Sequence, residues 1–391
     1  MSVGIDLISF YTSRYYLGLE SLAEARGVDY EKYRIGLGQE KMAVPPPDED
    51  IVTMGASAAK PILDQIETND VELLLFATES GVDQSKAAGL FAHGLLNLSN
   101  RCRVVELKEA CYSGTAGLQL AAAQVCHTHH ATKALVIASD VARYDLGSPG
   151  EPTQGCGAVA MLVTDNPRIM ALDPEAGFHA SDVMDFWRPS YRDEALVDGK
   201  YSTKVYMDTA VSAWEHYAER SGRAIDDLHR FCYHLPFTRM GIKAHERVLQ
   251  AANGSKDAVK HAGDAVAEGL AYTRDTGNSY TASLFESLAC LLDSNSELAG
   301  KRIGLFSYGS GCMGEFFSGV VNPAYRSHLF SADHTAMLED RTELAYQEYE
   351  DIFNLKVPQD GWKYVFAQYR TGPFRFGGID EHKRVYEPVE T

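Results

Sequence analysis

Apolar runs alternate with amphipathic stretches along the first 165 residues. Val71–Ala77 (VELLLFA), Arg103–Leu107 (RVVEL), Ala134–Ser139 (ALVIAS) and Ala158–Thr164 (AVAMLVT) read as buried strands. Gly114–Val125 is small, Ala-rich and long enough for a helix that packs closely on all sides. Strands spaced by helices predict an α/β architecture with a largely parallel sheet covered on both faces. After Asn166-Pro167 the pattern restarts. Tyr201–Arg220, Lys243–Ala252 and Leu284–Leu292 have helical spacing, and Arg230–Tyr233 and Arg302–Tyr308 read as strands. Glu315–Val321 is expected to return antiparallel, Glu339–Phe353 to form a charged surface helix, and Arg384–Tyr386 alternates like a strand. The best division falls near residue 166, giving halves 1–166 and 167–391.

Composition narrows the class. The 391 residues are 45% hydrophobic and 23% charged, which excludes a disordered chain, a collagen-like repeat and a disulfide scaffold. No run of 18 apolar residues occurs, so no membrane partner is expected. The opening MSVGIDLISF carries Asp6 and no basic stretch; it reads as the first strand of a cytoplasmic protein rather than a signal peptide. Lys plus Arg is 36 against 54 for Asp plus Glu, a net charge of -18 that repels nucleic acid. The seven cysteines are odd in number and contain no C-x-x-C, which argues against a disulfide framework and structural zinc. By default each is a small buried hydrophobe.

Cys111 departs from that default. It sits in EACYSGTAG, between a strand and a Gly-bearing helix. The positive end of a helix macrodipole is expected to lower a thiol pKa there and favour the nucleophilic thiolate. His234 ends a strand, and Pro236 keeps it out of the following helix. An imidazole so placed suits proton transfer or a hydrogen bond to a thioester oxygen, although a structural role is commoner for a lone histidine. Glu79, in FATESGVDQSK, follows a buried strand and reads either as a helix-start acid or as a general base. Asn278, in GNSYTAS, either caps the next helix or aims its amide at a carbonyl. If Glu79, Cys111 and His234 all leave strand C-terminal edges, they converge where open α/β sheets bind ligands.

Local basic residues offer contacts for an anionic cofactor arm against this acidic background. Arg239 and Lys243 share a helix face by spacing, and Lys41, Arg188 and Arg192 are further candidates. Two motifs mislead. Gly309–Gly314 fits G-x-G-x-x-G, yet a strand rather than a phosphate-binding helix follows it. Cys126, His127, His129 and His130 cluster where a helix ends, and the helix terminus explains them better than a metal does.

Five motifs in order, EACYSGTAGL, FATESGVDQSK, HLPFTRMGIKA, GNSYTAS and FSYGSG, together with the opening GIDLISFYTSRYYLGLESLAEARG and YRIGLGQEKMAV, resemble hydroxymethylglutaryl-CoA synthases of the bacterial type. The resemblance implies a thiolase fold, two similar α/β halves in five layers (α-β-α-β-α), usually a homodimer. The first half would carry the nucleophile Cys111, the second His234 and Asn278. It implies condensation of acetyl-CoA with acetoacetyl-CoA in the mevalonate route to isoprenoids, with no metal and no cofactor beyond the CoA thioesters. Carried over by motif, Cys111 is the acetylated nucleophile, Glu79 the general acid/base and His234 the group that orients acetoacetyl-CoA. Asp140, Tyr144, Asp185, Pro236, Asn278, Ser307, Tyr308 and Ser310 match substrate contacts, and Arg239 and Lys243 match positions for the CoA phosphates.

The chemistry agrees. Cys111 takes the acetyl group, and a base beside it removes a methyl proton. The Cys111 amide and the 307–311 turn are expected to hold the enolate oxygen, and a protonated His234 the ketone oxygen. The alternative is a ketoacyl synthase III-like enzyme with Cys111, His234 and Asn278 as its triad. Decarboxylation would spare such an enzyme a strong base, so Glu79 discriminates. A thiolase would use a second cysteine, for which Cys312 is the candidate.

Overall fold

The computed structural model describes residues 2–128, 132–294 and 297–389. His129 and His130 lie outside the described residues, so the metal reading of that cluster stays open.

Nine strands form one continuous ladder in the order Arg230–Tyr233, Arg302–Gly309, Met313–Val321, Met170–Ala180, Val3–Tyr11, Gly155–Asp165, Lys133–Ala142, Val71–Ala77, Arg103–Leu107. The first four come from the C-terminal half and the last five from the N-terminal half. Within the ladder the halves pair at Gly4↔Ala171 and Ile5↔Met170, and Met170–Ala180 pairs on its other side with Met313–Val321. The ladder is therefore two sheets pinned at one corner. Position 166 falls in the turn between Gly155–Asp165 and Met170–Ala180.

The sheet is mixed rather than largely parallel. Parallel pairing occurs only where a helix carries the chain across, at Val71–Ala77 with both its neighbours and at Arg230–Tyr233 with Arg302–Gly309. The pairings between them are antiparallel. The three residues linking Arg302–Gly309 to Met313–Val321 permit only a hairpin. The expected helix over Glu339–Phe353 is also corrected. One helix ends at Glu339, Thr342–Glu343 pairs as a short strand, and a second helix starts at Tyr346.

Two helices, Ser113–His127 and Ser283–Asp293, pack between the sheets. Their N-termini meet closely: a Cβ on Gly114 would lie 2.8 Å from the Thr281 carbonyl oxygen and 2.9 Å from the Phe285 ring. The Gly114 amide donates to Thr281 Oγ1 at 2.6 Å, locking the start of one helix to the turn before the other. This contact brings chemistry from the two halves to one place.

The corner joint makes a stability prediction. A Cβ on Gly4 would sit 2.1 Å from the Met170 carbonyl oxygen and 2.9 Å from the Leu172 amide nitrogen. Both are backbone atoms and cannot rotate away. Gly4→Ala should cost about 1–3 kcal/mol or more, as overpacking does, measured by denaturant unfolding. An unchanged unfolding midpoint would show that the joint carries no load.

Candidate active site

Glu79 follows strand Val71–Ala77, Cys111 precedes the Ser113–His127 helix, and His234 follows strand Arg230–Tyr233. Cys111 and His234 face one apolar cavity of about 370 Å³. Tyr144, Pro236, Asn278, Tyr308 and Ser310, matched above as substrate contacts, also line it. The Cys111 thiol donates to Glu79 Oε1 at 3.1 Å. Ala110, just before the nucleophile, has φ of 41°, a left-handed conformation that a non-glycine residue holds only under constraint.

The thiol pKa departs from expectation. Cys111 is 7% exposed, and its thiol is pushed well above its ordinary value, first by burial and then by the Glu79 charge. The helix starts two residues later, and its dipole does not overcome a carboxylate in direct contact. Glu79 is itself raised from the usual carboxylate range by burial and then by the charge of Asp140, while Arg188 and the Cys111 hydrogen bond pull the other way. Arg188 reaches this loop by donating through Nη2 to the Glu79 carbonyl, so it holds the backbone of the base.

His234 is buried, and burial alone holds its imidazole down at about 3. It is neutral at physiological pH, which corrects the expectation of a protonated ring. Its amide donates to the Phe306 carbonyl at 2.8 Å, and its own carbonyl accepts from Tyr206 Oη at 2.7 Å. Asn278 Oδ1 accepts from the Tyr280 amide at 2.8 Å, so it caps the local turn while lining the cavity.

Several matched residues stand behind the wall. Asp140 is fully buried and accepts from Thr78 Oγ1, the Glu79 and Ser80 amides and the Thr281 amide, at 2.8–3.1 Å. Asp185 accepts from Tyr308 Oη at 2.7 Å, Ser202 Oγ at 2.9 Å and the Gly311 amide at 3.0 Å. The Gly311 amide of the glycine turn is thus committed to Asp185 rather than to an oxyanion. Ser307 is buried outside the cavity lining, with no partner for its hydroxyl among the described residues. Cys312 lies in the hydrophobic core of the C-terminal half beside Ser181 Oγ at 3.3 Å and Thr209 Oγ1 at 3.5 Å, not on the cavity wall. A second-cysteine base is therefore absent from the described wall.

Lys243 Nζ lies 5.2 Å from the centre of the Phe237 ring, which lines the cavity. Arg239 donates through Nη1 to the Ile35 carbonyl at 2.8 Å. Arg192 pairs with Asp145, and Lys41 stacks on Tyr16. Sequence reasoning missed Phe186, Tyr206, Phe237 and Tyr280 on the wall and Ser283 behind His234. Phe237 stood inside the quoted HLPFTRMGIKA, and Tyr280 and Ser283 inside GNSYTAS, whereas nothing local marked Phe186 or Tyr206.

A buried cysteine nucleophile bonded to a carboxylate, with an imidazole across an apolar cavity in a doubled α/β fold, defines a condensing acyltransferase of the thiolase fold. The family model for the N-terminal domain of hydroxymethylglutaryl-coenzyme A synthase matches residues 1–168, and that for the C-terminal domain matches residues 251–368. The chain belongs to the hydroxymethylglutaryl-CoA synthase family. It is 43% identical over 355 residues to hydroxymethylglutaryl-CoA synthase of Enterococcus faecalis, covering 90% of this chain and 92% of that one. It is 37% identical over 372 residues to the polyketide-biosynthesis 3-hydroxy-3-methylglutaryl-ACP synthase PksG of Bacillus subtilis, covering 90% and 88%. A crystal structure of an HMG-CoA synthase complexed with CoA superposes with a TM-score of 0.94 at 39% identity, covering 100% of both chains.

The shared proton gives a test. Removing the Glu79 charge removes the second cause of the raised thiol. Glu79→Gln should shift the pH profile of Cys111 alkylation by iodoacetamide to lower pH, so the thiol reacts faster at neutral pH. Slower alkylation at every pH would instead make Glu79 an obligatory base for the thiol.

Proposed function

We propose that the protein condenses acetyl-CoA with acetoacetyl-CoA and water to hydroxymethylglutaryl-CoA and CoA, feeding the mevalonate route to isoprenoids. The observation that carries this is the Glu79 carboxylate 3.1 Å from the Cys111 thiol beside a cavity that His234 also lines. Cys111 attacks the acetyl thioester, its proton passes to Glu79, and Glu79 hands that proton to the CoA sulfur as CoA leaves. Glu79, once ionised, takes a proton from the acetyl methyl group. The resulting carbon nucleophile adds to the ketone carbon of acetoacetyl-CoA, His234 donates a hydrogen bond to the oxygen that gains charge, and Glu79 gives that oxygen the proton it took from the methyl group. Water then cleaves the thioester to Cys111 and leaves a free carboxylate on the product. The scheme draws on no metal and no cofactor beyond the thioesters.

A carboxylate in contact with the nucleophile favours this reading over a decarboxylating ketoacyl synthase, which has no proton to remove. The B. subtilis relative, named for an ACP-linked substrate, makes the carrier the open point. The CoA form is supported by the higher identity of the Enterococcus relative and by the cations Lys243 and Arg239 on the helix after His234. We place the protein in the cytoplasm, where its substrates arise, and among the described residues no helix is long and apolar enough to cross a membrane. A homodimer is supported by strand Arg103–Leu107, which ends the ladder with one side unpaired and with Val105 39% exposed.

Incubation with both CoA thioesters should yield the six-carbon product by mass spectrometry. A product only when the acyl groups are carried on acyl carrier protein would move the chain to the carrier-linked branch. Cys111→Ser should lose nearly all turnover and carry no acetyl group.

The Glu79 shift sets a pH dependence. Its carboxyl is raised, so the base form grows only as pH climbs above the usual carboxylate range. Exchange of acetyl methyl protons with deuterated water should therefore increase with pH through neutrality. Glu79→Ala should lower it by about a hundredfold to ten-thousandfold. Exchange that is flat with pH, or intact in Glu79→Ala, would remove Glu79 as the base.

A further inference from the structure

Ser283 opens the helix Ser283–Asp293 and is fully buried. Its hydroxyl oxygen lies 2.6 Å from His234 Nδ1 and accepts from the Leu235 amide at 3.1 Å. A serine hydroxyl has one proton and two lone pairs. The Leu235 amide has no acceptor capacity, so it fixes the hydroxyl oxygen as its acceptor. Among the described residues no other acceptor is hydrogen-bonded to that hydroxyl. Its proton therefore points at Nδ1, and the ring receives it there as an acceptor.

We infer that Ser283 is a positioning residue that fixes His234 in the tautomer with its proton on Nε2, presenting a neutral hydrogen-bond donor to the substrate oxygen. The backbone supports this aim. His234 is held by Phe306 and Tyr206 through its amide and carbonyl, which fixes its backbone, and Ser283 is the hydrogen-bond partner that the ring itself has among the described residues. Nε2 has no protein partner among the described residues, and His234 lines the cavity. The low imidazole pKa from burial agrees, since a ring that stays neutral needs its single proton on the correct nitrogen. The inference rests on the proposed role of His234 toward the acetoacetyl oxygen, but its core is a statement about the free protein.

The test is nitrogen NMR of the full chain with ¹⁵N-labelled histidine, with His234 assigned by its absence from the spectrum of His234→Gln. The expected wild-type spectrum has Nε2 protonated and Nδ1 bare, unchanged from about pH 5.5 to about pH 8. A proton on Nδ1 overturns the inference. Ser283→Ala should mix the two tautomers and lower the condensation kcat at least about tenfold, because a positioned hydrogen-bond donor to a developing oxyanion contributes roughly a hundredfold or more. Its acetylation of Cys111 should stay at the wild-type rate, a split that general loss of structure would not produce. Ser283→Thr, which keeps the hydroxyl, should restore both the spectrum and kcat. A single Nε2–H tautomer with wild-type kcat in Ser283→Ala also overturns the inference. If Ser283→Ala does not fold, the wild-type spectrum still decides. A correct spectrum with no six-carbon product would reject the proposed reaction and leave the tautomer assignment standing.

Discussion

Asp140 is fully buried, and an uncompensated carboxylate there would cost several kcal/mol of desolvation. Four donors offset that cost: the Thr78 hydroxyl and the amides of Glu79, Ser80 and Thr281. Three of them belong to the loop that carries the base. The fourth belongs to the turn that starts the Ser283–Asp293 helix in the other half. One carboxylate thus ties Glu79, the turn after Asn278 and the start of the His234-supporting helix into a single frame. Its charge is also the second cause that raises Glu79, so the same contact both positions and tunes the base.

Glu79 and Cys111 then behave as one titrating unit. The thiol is raised by burial and by the neighbouring carboxylate; the carboxylate is raised by burial and by Asp140. Moving the proton from sulfur to oxygen leaves the charge of the pair unchanged, so no new charge must be solvated in an apolar cavity. Acylation removes the thiol proton from the pair for good. The carboxylate left behind faces the acetyl group with no proton donor on its sulfur side, and it is in the right form to act on the methyl group. An acyl-cysteine therefore converts its own neighbour from acceptor of a thiol proton to carbon base.

Much of this was legible along the chain. Cys111, Glu79 and His234 each stand at the end of an apolar run, and strand ends in an α/β fold converge, so local pattern was enough to nominate them. Their protonation states were not legible. The thiol looked acidic because a helix follows it, but burial, and then a carboxylate 32 positions away in sequence at 3.1 Å, raises it instead. His234 looked cationic because its substrate oxygen gains charge, but burial is a property of the whole fold. The mixed sheet was hidden for a related reason. Strand propensity does not record whether a helix or a short turn joins two strands, and that connection sets parallel or antiparallel pairing. Asp140 and Asp185 were readable as site acids, but their donors come from segments more than 15 positions away, so their place behind the wall had no local signature. Ser283 closed the quoted GNSYTAS but passed unnoticed, because a serine at a helix start looks like an ordinary first-turn residue.

A neutral His234 is the form that lets Glu79 keep its raised value. Opposite charges across a low-dielectric cavity attract strongly, and a cation there would pull the Glu79 pKa down and weaken it as a carbon base. A neutral donor polarises the ketone without that penalty, because a hydrogen bond to a developing oxyanion strengthens as the charge forms. The electrostatic demands of the two steps are therefore met by different means. In the proposed reaction, proton removal draws on a carboxylate raised by burial and by Asp140, and carbon–carbon bond formation on an oriented dipole. The apolar wall of Phe186, Tyr206, Phe237 and Tyr280 serves both, since excluding water raises the carboxylate and strengthens the dipole at once.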